Sequence, residues 1–271
     1  MTVIPLDVFE DEELLQVKPV RTRSEYCWTC TSSTILYILN HYNVEHCTYL
    51  DADLYFFSPP QPLIDEMGND SILITSHRYT PKYDQSRKTG IYCVQFVTFR
   101  NDMRGLTALH WWRNACLEWC YNRFEDGKFG DQKYLDDWTE RFDGVHVLAH
   151  LGGGVAPWNM QQYSFEQING KLTGLELNSG KQFDVVFFHF HSLMFVAPHY
   201  FSPRPYYRRN DSVISLLFKP YVNKIQSIRK QYVQIEKDER YLHGWDFCKY
   251  IAETFIRRGF REIHYIKILH Q

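Results

Sequence analysis

Two aspartates separated by a single residue, Asp51 and Asp53, are the strongest candidates for chemistry in this chain. They follow the apolar segment "HCTYL" (46–50), which predicts a buried strand. Ionised carboxylates resist burial unless they are paired or bind a cation. Two carboxylates this close suit a hard divalent ion such as Mg²⁺ or Mn²⁺, and they leave coordination positions for phosphate oxygens. The sequence therefore predicts a metal site at the end of this strand, where open α/β sheets bind their ligands.

Two histidines lie far along the chain, in the apolar segment "DVVFFHFHSLMFV" (184–196). This segment predicts another buried strand, and it carries His189 and His191. Side chains two residues apart share one face of a strand, so the spacing does not choose between the two histidines. A histidine satisfied by hydrogen bonds in the core is the alternative interpretation.

The elements that must position these side chains alternate between strand-like and helix-like patterns. The pattern predicts an α/β fold with a mainly parallel sheet flanked by helices. Strands are predicted at 71–76, 91–99 and 262–268, and helices at 29–42, 105–124, 131–142, 212–233 and 245–258.

Cysteine usage and hydropathy narrow the class of protein. The seven cysteines are an odd number, and no signal peptide precedes them, which favours reduced thiols in a cytoplasmic protein. Cys27 and Cys30 form a C-x-x-C, but there is no second pair to complete a zinc site. The motif also opens a helix, whereas a thioredoxin-like motif follows a strand. No apolar segment is long enough to span a bilayer.

Charge divides the chain into two parts. Residues 1–198 contain 16 Lys/Arg against 25 Asp/Glu, whereas residues 199–271 contain 14 against 7. We therefore expect an acidic domain over 1–198 and a basic, aromatic-rich helical extension over 199–271. The extension suits peripheral contact with an anionic membrane surface, and a solvated helical face is the alternative. No nucleic-acid partner is expected.

Several segments resemble one family of enzymes. The segment "TYLDADLYFFSPPQPLIDEM" resembles the D-x-D region of nucleotide-sugar glycosyltransferases with the GT-A fold, especially glycosyltransferase family 8 and its bacterial relatives. Further similar segments follow the family's order: "EYCWTCTSSTILYIL", "GIYCVQFVTFRND", "FGDQKYLDDW" with an Asp-Gln motif, and "FFHFHSL" with a late histidine. The resemblance covers roughly residues 3–195. It implies a GT-A-like (Rossmann-like) fold that lacks the family's first βαβ unit at its N-terminus.

The resemblance also implies roles for individual residues. Mn²⁺ or Mg²⁺ would be bound by Asp51, Asp53 and His191. The nucleoside-diphosphate sugar donor would contact Trp28, Thr29, Asp51, Ala52 and Asp53. Asp131 and Gln132 would lie beside the donor sugar as catalytic residues, although Asp131 also suits the N-cap of the helix that follows it.

The implied reaction transfers a sugar to a hydroxyl group of a glycan or lipid-linked acceptor, with retention of configuration, in bacterial surface polysaccharide synthesis. The cysteines and the basic extension predict a location in the cytoplasm, at the inner face of the membrane. Two other functions stay open from the residues alone. One is a phosphohydrolase of the haloacid dehalogenase type, although Tyr55 stands where that class has Thr or Val. The other is a truncated paralogue that binds a glycan or a partner without catalysis.

Overall fold

The computed structural model describes residues 1–197, 200–203 and 206–231. Within them the chain forms two compact units. The first unit comprises Met1–Ala52 and Pro59–Gly154, and the second comprises Asp53–Ser58 and the described part of Val155–Gln271. The predicted helix at 245–258 and strand at 262–268 lie outside the described residues. The predicted division into 1–198 and 199–271 stays a prediction.

Helices and strands alternate along the described residues, which confirms the α/β class. The α-helices are α1 (Leu6–Phe9), α2 (Glu12–Val17), α3 (Arg23–His41), α4 (Gln61–Glu66), α5 (Ser86–Thr89), α6 (Met103–Glu118), α7 (Trp138–Arg141), α8 (Asp211–Val213) and α9 (Lys219–Gln231). The strands are β1 (His46–Leu50), β2 (Leu54–Phe56), β3 (Ile72–Ser76), β4 (Tyr92–Arg100), β5 (Val145–Val147), β6 (Tyr163–Ile168), β7 (Lys171–Glu176), β8 (Gln182–Asp184), β9 (Phe187–His189), β10 (Met194–Ala197) and β11 (Tyr200–Ser202).

The main sheet of the first unit has the strand order β1-β4-β3-β5. Strand β4 pairs antiparallel with both β1 and β3, and only the β3–β5 pairing is parallel. The expectation of a mainly parallel sheet is therefore wrong for the described strands. It rested on the alternation of strand-like and helix-like segments along the chain, which is typical of parallel sheets. Alternation alone does not determine strand direction, which depends on the path of each connection.

The core of the first unit forms where α3 and α6 pack with the sheet. Helix α3 begins with a capping box, in which Thr22 and Glu25 bond to each other's backbone N–H groups. Its residues Ile35 and Leu39 are buried in the core, as their helical spacing predicts. From α6, Trp112 packs edge-to-face with Trp138, their ring centroids 5.4 Å apart. This aromatic packing fixes the helices that flank the sheet.

The predicted polar helix over 131–142 divides into two short pieces. A 3₁₀ helix covers Gln132–Asp137, and α7 continues from Trp138 to Arg141. The predicted helix over 212–233 is confirmed as far as the description extends, to Gln231. It consists of α8, a π-helical stretch at Ile214–Phe218, and α9.

The second unit contains the largest departure from the predicted elements. The segment 184–196 is not one strand, because β9 ends at His189 and β10 begins only at Met194. Between them Ser192 has a φ of +67°, and the N–H of Leu193 donates to the carbonyl of Phe190 (3.0 Å). This turn contains no glycine or proline, the residues that usually mark one in a sequence. The antiparallel sheet β6-β7-β8 was also not predicted.

None of the helices in the described ranges has the length and apolar character needed to cross a membrane.

Candidate metal centre

Three side chains in the second unit form a cluster that can hold a metal ion. The cluster consists of Asp53, His189 and His191, and one potential ligand atom from each lies within 4.8 Å of the others. Asp53 directly precedes β2, and the antiparallel pairing of β2 with β9 places Leu54 opposite His189. The N–H of Phe190 also donates to the carbonyl of Asp53 (2.9 Å). Strand pairing therefore brings together residues that are far apart in the sequence.

The three side chains differ in exposure. His189 Nε2 lies 3.0 Å from Asp53 Oδ1, with 6% of the His189 side chain exposed against 43% for Asp53. His191, in the turn after β9, is exposed. The buried indole of Trp158 contacts both imidazoles edgewise, with centroids 5.3 Å from His189 and 5.7 Å from His191. One side of the cluster is thus a packed wall, and the other is open to a ligand.

The surroundings of Asp53 favour the ionised form of its carboxyl, which is the form that can bind a cation. Burial raises the pKa of Asp53, but the hydrogen bond to His189 and the positive charges of His189 and His191 outweigh this effect and hold the pKa below its usual range. Tyr221, from α9, lies close enough to respond to this charge. Burial, followed by the negative charge of Asp53, raises the pKa of Tyr221 to about 12.

The donor set fits a divalent cation with some affinity for nitrogen. One carboxylate and two imidazoles suit Mn²⁺, Fe²⁺ or Zn²⁺ better than Mg²⁺, which prefers oxygen ligands. Three protein ligands also leave coordination positions open for an incoming ligand. A cation held by these three side chains could therefore bind an incoming ligand directly. It could also stabilise the fold by linking β9 to the residue before β2.

Two of the three predicted metal ligands lie together in the structure, and the third lies in the other unit. Asp53 and His191 belong to the cluster, and His189, which the spacing could not separate from His191, belongs to it as well. Asp51 lies in the first unit, at the end of β1. There it accepts a hydrogen bond from the hydroxyl of Tyr49 (3.0 Å), and its N–H donates to the carbonyl of Gln95 (3.0 Å).

A pair of carboxylates in the first unit forms a second chemical feature. Asp131 is 5% exposed, and Asp51 is its neighbour. Burial, followed by the negative charge of Asp51, raises the pKa of Asp131 to about 7, although hydrogen bonding by Thr31 opposes the rise. Asp131 occupies the N-cap position of the 3₁₀ helix Gln132–Asp137, as the alternative predicts, but its side chain makes no capping hydrogen bond. Near neutral pH this carboxyl exists in both protonation states.

The other predicted donor contacts occupy different environments in the first unit. Gln132 is partly buried, and its amide nitrogen donates to the carbonyl of Thr89 (2.6 Å). Thr29 is fully buried, and its hydroxyl donates to the carbonyl of Glu25 (2.8 Å), which leaves that hydroxyl closed to a ligand. Trp28 is partly buried beside the ring of Phe129, and Ala52 is exposed. Contact of Trp28 and Ala52 with a donor stays a prediction.

Two residues beside the cluster, Trp158 and Tyr221, were not predicted to belong to a metal centre. Trp158 follows the glycine-rich loop, and Tyr221 lies in a helix with basic residues. Neither position carries a sequence signal for a metal centre, because aromatic residues serve mostly as core. Only the packing of Trp158 against both histidines reveals its role.

Comparison with known proteins places the chain among bacterial relatives. It is 31% identical to the uncharacterized protein YfnD of Bacillus subtilis (strain 168) over 227 residues, which cover 82% of this chain and 71% of YfnD. It is 32% identical to the uncharacterized protein YfnF of the same organism over 205 residues, which cover 73% of this chain and 66% of YfnF. No protein-family model matches the chain. From its identity and coverage with YfnD, the chain belongs to the YfnD family.

Proposed function

We propose that this protein is a metal-dependent glycosyltransferase, which moves a sugar from a nucleoside-diphosphate sugar to a hydroxyl acceptor. The observation that carries the proposal is the cluster of Asp53, His189 and His191, a group of side chains that could hold a metal ion and that includes the second aspartate of the D-x-D. The resemblance of the surrounding segments to GT-A enzymes of family 8 supports the same function. The α/β class of the fold is compatible with it.

Within this proposal the protein's residues have separate tasks. Asp53 is ionised at neutral pH, and His189 and His191 contribute nitrogen ligands. A divalent cation bound there would supply positive charge that offsets the charge developing on a departing diphosphate. Trp158 holds both imidazoles against its edge, so the ligands are oriented before a cation arrives.

The first unit supplies the other residues of the proposal. Asp51 stands two positions before Asp53 in the chain and remains a proposed contact for the metal or the donor. Asp131 and Gln132 remain the proposed contacts of the donor sugar. With a pKa of about 7, the carboxyl of Asp131 can both accept and donate a hydrogen bond to sugar hydroxyls. A glycan or lipid-linked acceptor, retention of configuration and a role in surface polysaccharide synthesis belong to the proposal through the family resemblance alone.

The test is a thermal-shift titration with Mn²⁺, followed by a panel of nucleoside-diphosphate sugars at saturating Mn²⁺. We expect Mn²⁺ to raise the Tm and one of the sugars to raise it further, because ligands that bind only the folded state stabilise it. Asp53→Asn should abolish both increments. Asp143→Asn removes an exposed carboxylate elsewhere and should retain them.

Other results would support the rival functions. Phosphate release from a simple phosphoester, unaffected by nucleotide sugars and lost in Asp51→Asn, would indicate a phosphohydrolase. A folded protein that binds no donor by calorimetry in the presence of Mn²⁺ would indicate a non-catalytic paralogue. Either result would refute the transferase.

A further inference from the structure

A cavity of about 610 Å³ lies in the first unit, between the N-terminal segment and helix α3. The lining residues of α3 include Tyr26, Cys30, Thr34 and Tyr37, which recur at intervals of three or four residues and so form one stripe along the helix. Ile35, by contrast, is buried in the core on another face of α3. The cavity therefore lies on the side of α3 that turns away from the core.

The long walls of the cavity are apolar. Helix α1 and the residues before it contribute Ile4, Leu6 and Phe9. The ring of Phe9 contacts that of Tyr37 edge-to-face, with centroids 5.9 Å apart, whereas Leu6 is 60% exposed. From Tyr26 to Tyr37 the stripe extends about 16 Å along the helix axis. An exposed leucine beside an aromatic wall of this length favours a ligand with an extended hydrocarbon part.

The end of the cavity at the start of α3 is cationic. Its lining includes Lys18, Arg21 and Arg23 and contains no carboxylate. Lys18 is paired with Glu10, with Nζ 2.6 Å from Oε1, so its charge is already balanced. Among the described residues, neither Arg21 nor Arg23 has a carboxylate within the 4.0 Å of an ion pair.

Arg21 is held rigidly in this position. Its guanidinium stacks on the ring of Tyr121, 3.8 Å from the centroid, and its Nη2 donates to the carbonyl of Leu117 (3.3 Å). The residue is 9% exposed, and within the described ranges its Nε has no hydrogen-bond partner. The buried carboxylate of Glu25 interacts with the charge of Arg21 from beyond ion-pair distance, and an anion at the cavity would compensate the charges of Arg21 and Arg23 further.

We propose that this cavity binds a single-chain amphiphile with an anionic head group. The head lies at Arg21 and Arg23, and the hydrocarbon chain extends along α3 between Phe9 and Tyr37. This inference is independent of the proposed transferase activity, because it uses neither the metal cluster nor the acidic pair of Asp51 and Asp131.

Dodecyl phosphate, kept below its critical micelle concentration, is a suitable probe for isothermal titration calorimetry. We expect it to bind at one site. Inorganic phosphate and dodecanol should each bind at least tenfold more weakly, because phosphate lacks the hydrocarbon chain and dodecanol lacks the anionic head group. Equal binding of dodecanol would show that the arginines play no part and would overturn the proposal.

Cys27 reports whether the probe occupies this cavity. It is exposed and belongs to the lining, so bound dodecyl phosphate should slow its alkylation by a maleimide. Peptide mass spectrometry would follow the rate, with the partly buried Cys47 of β1 as an internal reference. Binding without protection of Cys27 would place the probe elsewhere and refute the site.

Two matched pairs of variants test the two halves of the cavity. Thr34→Trp fills the apolar part and should weaken binding at least tenfold, whereas Thr107→Trp should not. Both threonines are exposed, and both donate to the carbonyl four residues earlier in their helix. Arg23→Gln should weaken binding roughly ten- to a hundredfold, the loss expected for one charged hydrogen bond. Arg87→Gln, at an exposed position outside the cavity, is its control. Unchanged affinity in both Thr34→Trp and Arg23→Gln would contradict the proposal.

Discussion

At the scale of single residues, the two histidines of the metal cluster are not equivalent. His189 is buried and hydrogen-bonded to Asp53, whereas His191 is exposed at a turn. Both present a ring nitrogen within reach of one ion. If a cation is bound by both histidines, the loss of either one should weaken its binding, although one histidine is buried and the other is exposed.

We expect His189→Gln and His191→Gln each to weaken Mn²⁺ binding at least tenfold, because each removes one of three protein ligands. The Mn²⁺ dependence of the Tm measures this loss. His110→Gln, an exposed position of α6, controls for loss of an imidazole. Full Mn²⁺ affinity in His191→Gln would mean that the exposed histidine is not a ligand.

The nature of the ligands also predicts which metal is preferred. Imidazole nitrogen favours Mn²⁺ over Mg²⁺, so at equal concentration Mn²⁺ should raise the Tm more than Mg²⁺. In Asp53→Asn the difference between the two ions should disappear. A larger Tm shift with Mg²⁺ would indicate a site built from oxygen ligands, one that does not include the histidines.

Asp131 makes stability depend on pH. Its pKa is about 7 in the folded protein, and an unfolded aspartate titrates near 3.9. Between these values the unfolded chain has lost the proton and the folded protein retains it, so the free energy of unfolding falls as pH rises from about 4 to 7. The full loss, roughly 2–4 kcal/mol, should be present above pH 7.

Asp131→Asn removes this titration. The free energy of unfolding of the variant minus that of the wild type should therefore be larger at pH 8 than at pH 4.5. Urea unfolding of both proteins at both pH values measures this difference. The comparison between pH values cancels the constant cost of exchanging a carboxyl for an amide. A stability difference that is independent of pH would show that the carboxyl titrates normally.

At the scale of elements, one glycine sets how closely α6 approaches the sheet. A Cβ at Gly105 would lie 2.3 Å from the backbone carbonyl oxygen of Arg100, at the end of β4, and 3.3 Å from that of Ser71. Backbone atoms cannot turn aside as side chains do, so α6 would have to shift. We expect Gly105→Ala to lower the free energy of unfolding by about 1–3 kcal/mol.

Chemical denaturation of Gly105→Ala beside Thr107→Ala measures this effect, because Thr107 is exposed on the same helix. The control should lie within about 0.5 kcal/mol of the wild type. If the two variants were equally stable, close helix packing at Gly105 would not contribute to the fold.

At the scale of the whole molecule, charge is distributed unevenly. Residues 199–271 hold 14 Lys/Arg against 7 Asp/Glu, although the chain as a whole has a formal net charge of −2. Helix α9, with Lys219 and Lys224 among its residues, belongs to the described part of this basic segment. We propose that the segment makes peripheral contact with anionic membranes.

Flotation with liposomes tests this contact. The protein should float with vesicles rich in phosphatidylserine at low salt and be released by high salt, because screening weakens attraction between surface charges. Lys224→Glu, at an exposed position of α9, should weaken flotation. Flotation that changes neither with salt concentration nor with lipid charge would exclude an electrostatic contact.

The sequence by itself determined the elements whose patterns are local. The core face of α3 and the apolar stripe of α6 follow from periodicity, since burial of one face leaves a repeat in the chain. The strand at His46–Leu50 was also predicted, but as a buried strand; it lies at the edge of its sheet, and its residues are exposed or only partly buried. The D-x-D also identified Asp53 as a candidate metal ligand, because closely spaced carboxylates after an apolar strand suit a divalent cation.

Only the tertiary structure decided what depends on pairing between distant segments. The direction of β4, the turn at Ser192 and the inclusion of both His189 and His191 have no local signal. The raised pKa of Asp131 likewise depends on burial and on its neighbour Asp51, far away in the sequence. A residue's chemistry is determined by its type, but its ligands, charge state and exposure are determined by the residues that folding places around it.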